Sequence, residues 1–209
     1  MRKSKTEKFG TLSRKKQTQA IQSAASGLKV PDNDRYLHHY PLLLKGIADL
    51  LPLDISRLSL AGSAVFSWMP TQMNLDHRGL KDSLNVINNL PEQALSRKSL
   101  ELLASTFATI RGKSVVAASK VLHFVYPREF PIFDRIIAQK IGMAPNGGKA
   151  AASYLNYREV LSDLLQNDDV VSACNEVRHR LSASGYFHEI SDMRAVELIL
   201  FISPAETLA

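Results

Sequence analysis

Apolar positions along the chain recur mostly three and four residues apart, the period of a helix with one buried face. Leu42, Leu43, Leu44, Ile47, Leu50 and Leu51 form one such stripe, which Pro52 ends. Residues 54–68 carry Ile55, Leu58, Leu60, Ala64, Val65, Phe66 and Trp68, and Pro70 stops them. Leu80, Leu84, Val86, Ile87 and Leu90 give a third stripe. Pro91 suits a first helical turn, and a long helix is expected over 95–110. Further helices are expected over 114–125, 134–141, 150–165, 170–181 and 191–202, the last with Ser191 or Asp192 as its cap. No alternating run of five or more residues predicts a strand. The fold class expected is all-α.

The length of 209 residues and 45% hydrophobic content suffice for one compact domain, or for two small helical lobes sharing a cleft. No apolar run reaches membrane-span length, and the basic N-terminus lacks the apolar stretch of a secretory signal, so no membrane partner is expected. One cysteine, Cys174, can form no internal disulfide and hold no iron–sulfur cluster or zinc knuckle. A reducing cytoplasm, a monomer and no cofactor are expected. His38 and His39 are adjacent and point apart on a helix, so no metal constellation is visible. Gly147-Gly148-Lys149 is too short for a phosphate-binding P-loop.

The charge changes the picture more than the composition does. Net charge is +6, and residues 1–16 hold Arg2, Lys3, Lys5, Lys8, Arg14, Lys15 and Lys16 against Glu7 alone. The excess therefore sits there, and the rest is neutral overall. Residues 1–16 read as a flexible basic arm, either a solvated tail or a phosphate-binding element. Residues 17–209 read as a single helical domain.

Candidate chemistry concentrates between Ile110 and Asp134. A long helix is expected to end at Ile110. A tight turn through Gly112 follows, and then a second helix opens with the small residues Ala117, Ala118 and Ser119. Backbone N–H groups at a helix start lack helical partners and attract anions. Arg111, Gly112, Lys113 and Ser114 are thus candidates for contact with a DNA phosphate; an ordinary helical turn is the alternative. Beyond Tyr126-Pro127, an apolar loop leads to Asp134, which can cap the next helix.

Residues 110–134 resemble the core of the helix-hairpin-helix DNA glycosylase superfamily, which includes endonuclease III and the adenine and oxoguanine glycosylases. Its pattern is Leu-Pro-Gly-Val-Gly-x-Lys-Thr-Ala, an apolar helix, and an apolar loop ending in Val-Asp. Aligned without gaps, Ile110 takes the leucine, Gly112 and Ser114 the glycines and Ala118 the alanine. Asp134 falls on the catalytic aspartate. Ala-Ser-Lys-Val-Leu-His-Phe with Phe-Pro-Ile-Phe-Asp is also similar to bacterial oxoguanine-glycosylase-like proteins. The resemblance covers about 25 residues. Arg111 replaces the proline, and Val116 stands where bifunctional members carry a Schiff-base lysine. Arg135 and Ile136 replace the threonine and histidine after the aspartate.

The resemblance implies two helical lobes around a cleft, with the hairpin and active loop within 96–142. It implies a monofunctional DNA glycosylase that flips and excises a damaged or modified base from double-stranded DNA; the small size, the missing iron–sulfur cysteines and the departures from the pattern leave open a specialised substrate such as a modified phage base, in antiviral defence instead of repair. A bacterial, nucleoid-associated location would follow. Asp134 would stabilise the oxocarbenium-like transition state and position water. Lys120, one turn after Val116 on the same face, is a candidate amine for the same pocket or a phosphate-facing lysine. Trp68, Phe66, His123 and Phe133 are candidate walls for a flipped base, with Tyr126 near the loop; core packing is the alternative for each. A non-catalytic DNA-binding protein and a helical interaction domain are the competing readings.

Overall fold

A computed structural model describes residues 8–69, 71–90 and 92–208. Among these the protein is mostly helical, with ten α-helices and one two-stranded sheet. The chain runs α1 (Arg14–Ser26), α2 (Arg35–Ala48), α3 (Ile55–Trp68), β1 (Met73–Leu75), α4 (Leu80–Asn89), α5 (Arg97–Thr106), β2 (Phe107–Thr109), α6 (Val115–Val125), α7 (Arg135–Ile141), α8 (Ala150–Leu164), α9 (Asp168–Ala183) and α10 (Asp192–Ile202).

Most helices begin where a short polar side chain takes over the first free N–H groups. Asp34 accepts from the Tyr36 and Leu37 amides, Asp54 from Arg57, Ser96 from Ser99, Ser114 from Ala117, Asp134 from Ile137 and Ser191 from Arg194. Ser191 Oγ also donates to the Pro127 carbonyl at 2.6 Å, tying α10 to the end of α6. Gly142, at φ +79°, closes α7 in the left-handed conformation. Lys140 reaches across from α7 and donates to the Leu200 and Ser203 carbonyls at 3.0 and 2.7 Å, fixing α7 against the last turn of α10.

The helix expected over 95–110 is shorter. It stops at Thr106, and Phe107–Thr109 pairs antiparallel with Met73–Leu75. Asp76 N–H takes the Thr106 carbonyl at 3.0 Å, and the fully buried Phe107 ring lies where a Cβ on Gly62 would come within 2.9 Å of it. Tertiary pairing thus overrides helical continuation. A strand therefore separates the first helix from the turn at Gly112. Thr109 and Gly112 form a bridge, with Thr109 N–H to Gly112 O at 2.9 Å and the return bond at 2.8 Å.

The expected basic arm also differs. Residues 1–7 lie outside the described residues. Phe9 is buried, Gln17 Nε2 donates to its carbonyl at 3.0 Å, and Arg14 opens α1 while pairing with Asp163. Residues 8–16 thus belong to the folded body. α1 packs its Ala20, Ile21, Ala24 and Ala25 face against α9, next to α10.

Candidate active site

A cavity of about 610 Å³ lies where the starts of α2, α6 and α7 meet the end of α3 and one side of α10. Each of these elements brings a functional group to it by its own local logic.

Asp134 arrives from the loop before α7. Its Oδ1 accepts the Ile137 amide at 2.8 Å, so the helix start orients the carboxylate while the residue remains on the cavity wall. The loop itself is fastened to α6. Ser119 Oγ accepts the Phe133 amide at 3.1 Å and donates toward the Val116 carbonyl at 2.9 Å. The small residue noted at 119 is thus the clasp that seats the acid.

Lys120 comes from the second turn of α6 and is only 9% exposed. Its Nζ lies 5.3 Å from the centroid of the Trp68 ring. Burial lowers its pKa, while the charges of Asp134 and Glu197 oppose that fall. Val116, one turn earlier, lines the same cavity, so the two positions share a face as their spacing requires. Trp68 closes the wall above, held edge-on against Tyr36 at 5.5 Å and Phe124 at 5.3 Å. Its Nε1 is buried without a hydrogen bond among the described residues.

Arg111, Lys113 and Ser114 border the cavity, with Arg111 and Lys113 exposed. Gly112 does not line it; at φ +99° it makes the turn that delivers its neighbours. Ser114 caps α6 with its own hydroxyl, accepting the Ala117 amide at 3.1 Å, so part of the expected anion-binding N–H set is already satisfied. Arg135 adds a third exposed cation at the rim.

Phe66, His123 and Phe133, expected as pocket walls, do not reach the cavity. Phe66 is core. Phe133 packs against Tyr154 and Tyr157 at 5.8 and 5.5 Å. Tyr126 is likewise away from the cavity, donating to the Ile87 carbonyl at 3.0 Å. His123 is fully buried behind the wall. Its Nδ1 lies 2.7 Å from the Phe130 carbonyl, which can only accept, so Nδ1 carries the proton. Nε2 then accepts from Tyr40 Oη at 2.9 Å. Burial and nearby Arg194 push its pKa down to about 3, so the ring is neutral.

Two groups on α10 escaped the sequence reading. Arg194 and Glu197 line the cavity as a buried ion pair, and Arg194 stacks over the Tyr40 ring at 4.6 Å. Burial raises the Glu197 carboxyl to about 7, against the pull of Arg194. Their signal was present: two charges one turn apart in a run otherwise apolar from Met193 to Ile202. Among the described residues no group of three or more His, Cys, Asp or Glu is arranged to hold a metal, and no helix is long and apolar enough to cross a membrane.

Compared with known proteins, the chain matches no protein-family model, no curated protein and no solved structure.

Proposed function

We propose that the protein is a DNA N-glycosylase that excises a flipped base and leaves an abasic site. The observation that carries this reading is that Asp134 and Lys120 line one cavity, with the Trp68 ring against the lysine. α2–α6 then form one lobe, and α1 with α7–α10 the other, flanking the base. Arg111, Lys113 and Arg135 contact phosphates at the rim.

Breaking the C1′–N bond sends its electron pair to the base and leaves positive charge on the sugar. Asp134 faces that charge as a fixed anion held by the start of α7. Water adds at C1′ and gives its proton to Asp134; the departing base takes a proton from solvent and Asp134 returns its own to solvent, so the sum is one water split between the sugar and the base. Trp68 offers a flat apolar surface for the extruded base, which reduces the cost of unstacking. Lys120 adds a donor beside the acid. Val116 in place of a Schiff-base lysine favours excision without strand cleavage, and a repaired lesion or a modified phage base fits this chemistry equally.

The test is incubation with a panel of damaged and naturally modified duplexes, with released bases identified by mass spectrometry and abasic sites by alkaline cleavage. Release of a base with alkali-dependent cleavage supports the reading; no release from any duplex refutes it.

A further inference from the structure

The cavity that Lys120 lines also holds a charged pair that the excision chemistry above leaves unused. α10 is buried from Met193 to Leu200, yet it carries Arg194 and Glu197, 4% and 1% exposed at the side chain, joined as an ion pair on the cavity wall. Burying such a pair generally stabilises less than apolar residues of the same volume would. The pair is also held rigidly. Arg194 lies over Tyr40, Tyr40 donates to His123, and His123 donates to the Phe130 carbonyl.

Lys120 lines the same cavity as this pair, and among the described residues its side chain makes no hydrogen bond; its contact is the Trp68 face. The charges that act on it are Asp134 from the start of α7 and Glu197 and Arg194 from α10. Asp34, Arg111, Lys113 and Arg135 line the same cavity, the three cations among them exposed at its rim. α2 presents Tyr40 and α8 presents Tyr154 and Tyr157, each phenol pushed up by burial and therefore neutral. α5 presents Leu100, Leu103, Ala104 and Thr106, and α3 presents Trp68.

We propose that the Arg194–Glu197 pair is a positioning element for Lys120: Glu197 cancels the cation of Arg194 at the back of the cavity, so the Lys120 amine stays beside Asp134 instead of being repelled by a bare guanidinium. The pair acts through Lys120 and does not touch the reacting atoms. The inference rests on the part given to Lys120 in the glycosylase reading, but its test uses the protein without DNA. A failure here is therefore distinct from a failure to release a base.

The test is trace acetylation with acetic anhydride across a pH series, read for each lysine by mass spectrometry, with exposed Lys29 and Lys98 as internal references. Glu197→Gln strands Arg194, and the Lys120 midpoint falls by about one pH unit. The isosteric double variant Arg194→Gln/Glu197→Gln restores neutrality, and the midpoint returns to the wild-type value. A mere packing role predicts that the double variant is displaced at least as far as the single one. An unchanged midpoint in Glu197→Gln, a displaced midpoint in the double variant, or a wild-type Lys120 that is unlabelled at every pH overturns the proposal. Should Glu197→Gln fail to fold, the double variant alone decides: a wild-type midpoint supports charge balance, and a displaced one contradicts it.

Discussion

The Lys120 amine lies 5.3 Å from the centre of the Trp68 ring, so the one tryptophan and a buried lysine define a single wall of the cavity. α3 ends at Trp68 and α6 carries Lys120, and Phe124 from α6 braces the indole edge-on at 5.3 Å. The wall is therefore built by packing between two helices, with Asp134 brought to it by a separate loop.

That loop depends on Ser119. Its hydroxyl joins the Phe133 amide to the Val116 carbonyl inside the core. Ser119→Ala strands the buried Phe133 amide and is expected to cost about 1–2 kcal/mol in urea unfolding. Base release should fall by more than the change in folded fraction accounts for, because Asp134 loses its seating. Unchanged turnover in a folded Ser119→Ala protein would show that the clasp does not position the acid.

His123 makes stability depend on acid. In the unfolded chain it takes up a proton below about 6.5, whereas the native ring stays neutral down to about 3. Native stability is thus lost as pH falls through this window, by about 1.4 kcal/mol per pH unit at most. Glu197, with its carboxyl raised to about 7, binds a proton more readily in the native state and contributes the opposite slope between about 4.5 and 7. His123→Asn keeps a donor for Phe130 and removes the titration while leaving Glu197 in place. The difference in unfolding free energy between wild type and His123→Asn should therefore shrink steadily from pH 6.5 to pH 4; a constant difference contradicts a neutral buried His123.

The rim makes a separate prediction about salt. If Arg111 and Lys113 each meet a phosphate, Arg111→Ala/Lys113→Ala should make the plot of log affinity against log salt shallower by about 2. Fluorescence anisotropy with a duplex at several salt concentrations measures this. An unchanged slope removes both residues from the DNA interface. Gly112→Ala, whose Cβ would meet nothing within 4 Å, separates turn geometry from charge. It should cost about 1 kcal/mol for its positive φ without altering the slope.

The caps and apolar periods made most helices legible, because both signals are local. Ser114 before α6, Asp134 before α7 and Ser191 before α10 stand in the structure as caps. α1 was missed because its buried face is built of Gln17, Thr18 and alanines around a single Ile21, too weak a stripe to read. β2 was missed because its pairing partner, Met73–Leu75, lies more than thirty residues earlier. At the site, Asp134, Lys120 and Trp68 line one cavity; the spacing from Val116 pointed Lys120 to it, whereas no local signal placed Trp68 beside them. Periodicity did not distinguish which aromatics face the cavity, since Phe66 and Phe133 turn inward on elements that also carry cavity residues. The Arg194–Glu197 pair was hidden for a related reason. Only tertiary packing shows that the polar side of α10 faces a cavity in place of solvent.

The central claim rests on the Asp134 carboxylate, and Asp134→Asn tests it most directly. Asparagine keeps a side-chain oxygen for the Ile137 amide, so the cap, the fold and duplex affinity should persist. Single-turnover base release from a duplex that the wild type processes should drop by at least about a hundredfold, the scale of losing a positioned charge in a transition state. Release by Asp134→Asn within a few fold of wild type would contradict the assignment of Asp134 as the catalytic anion.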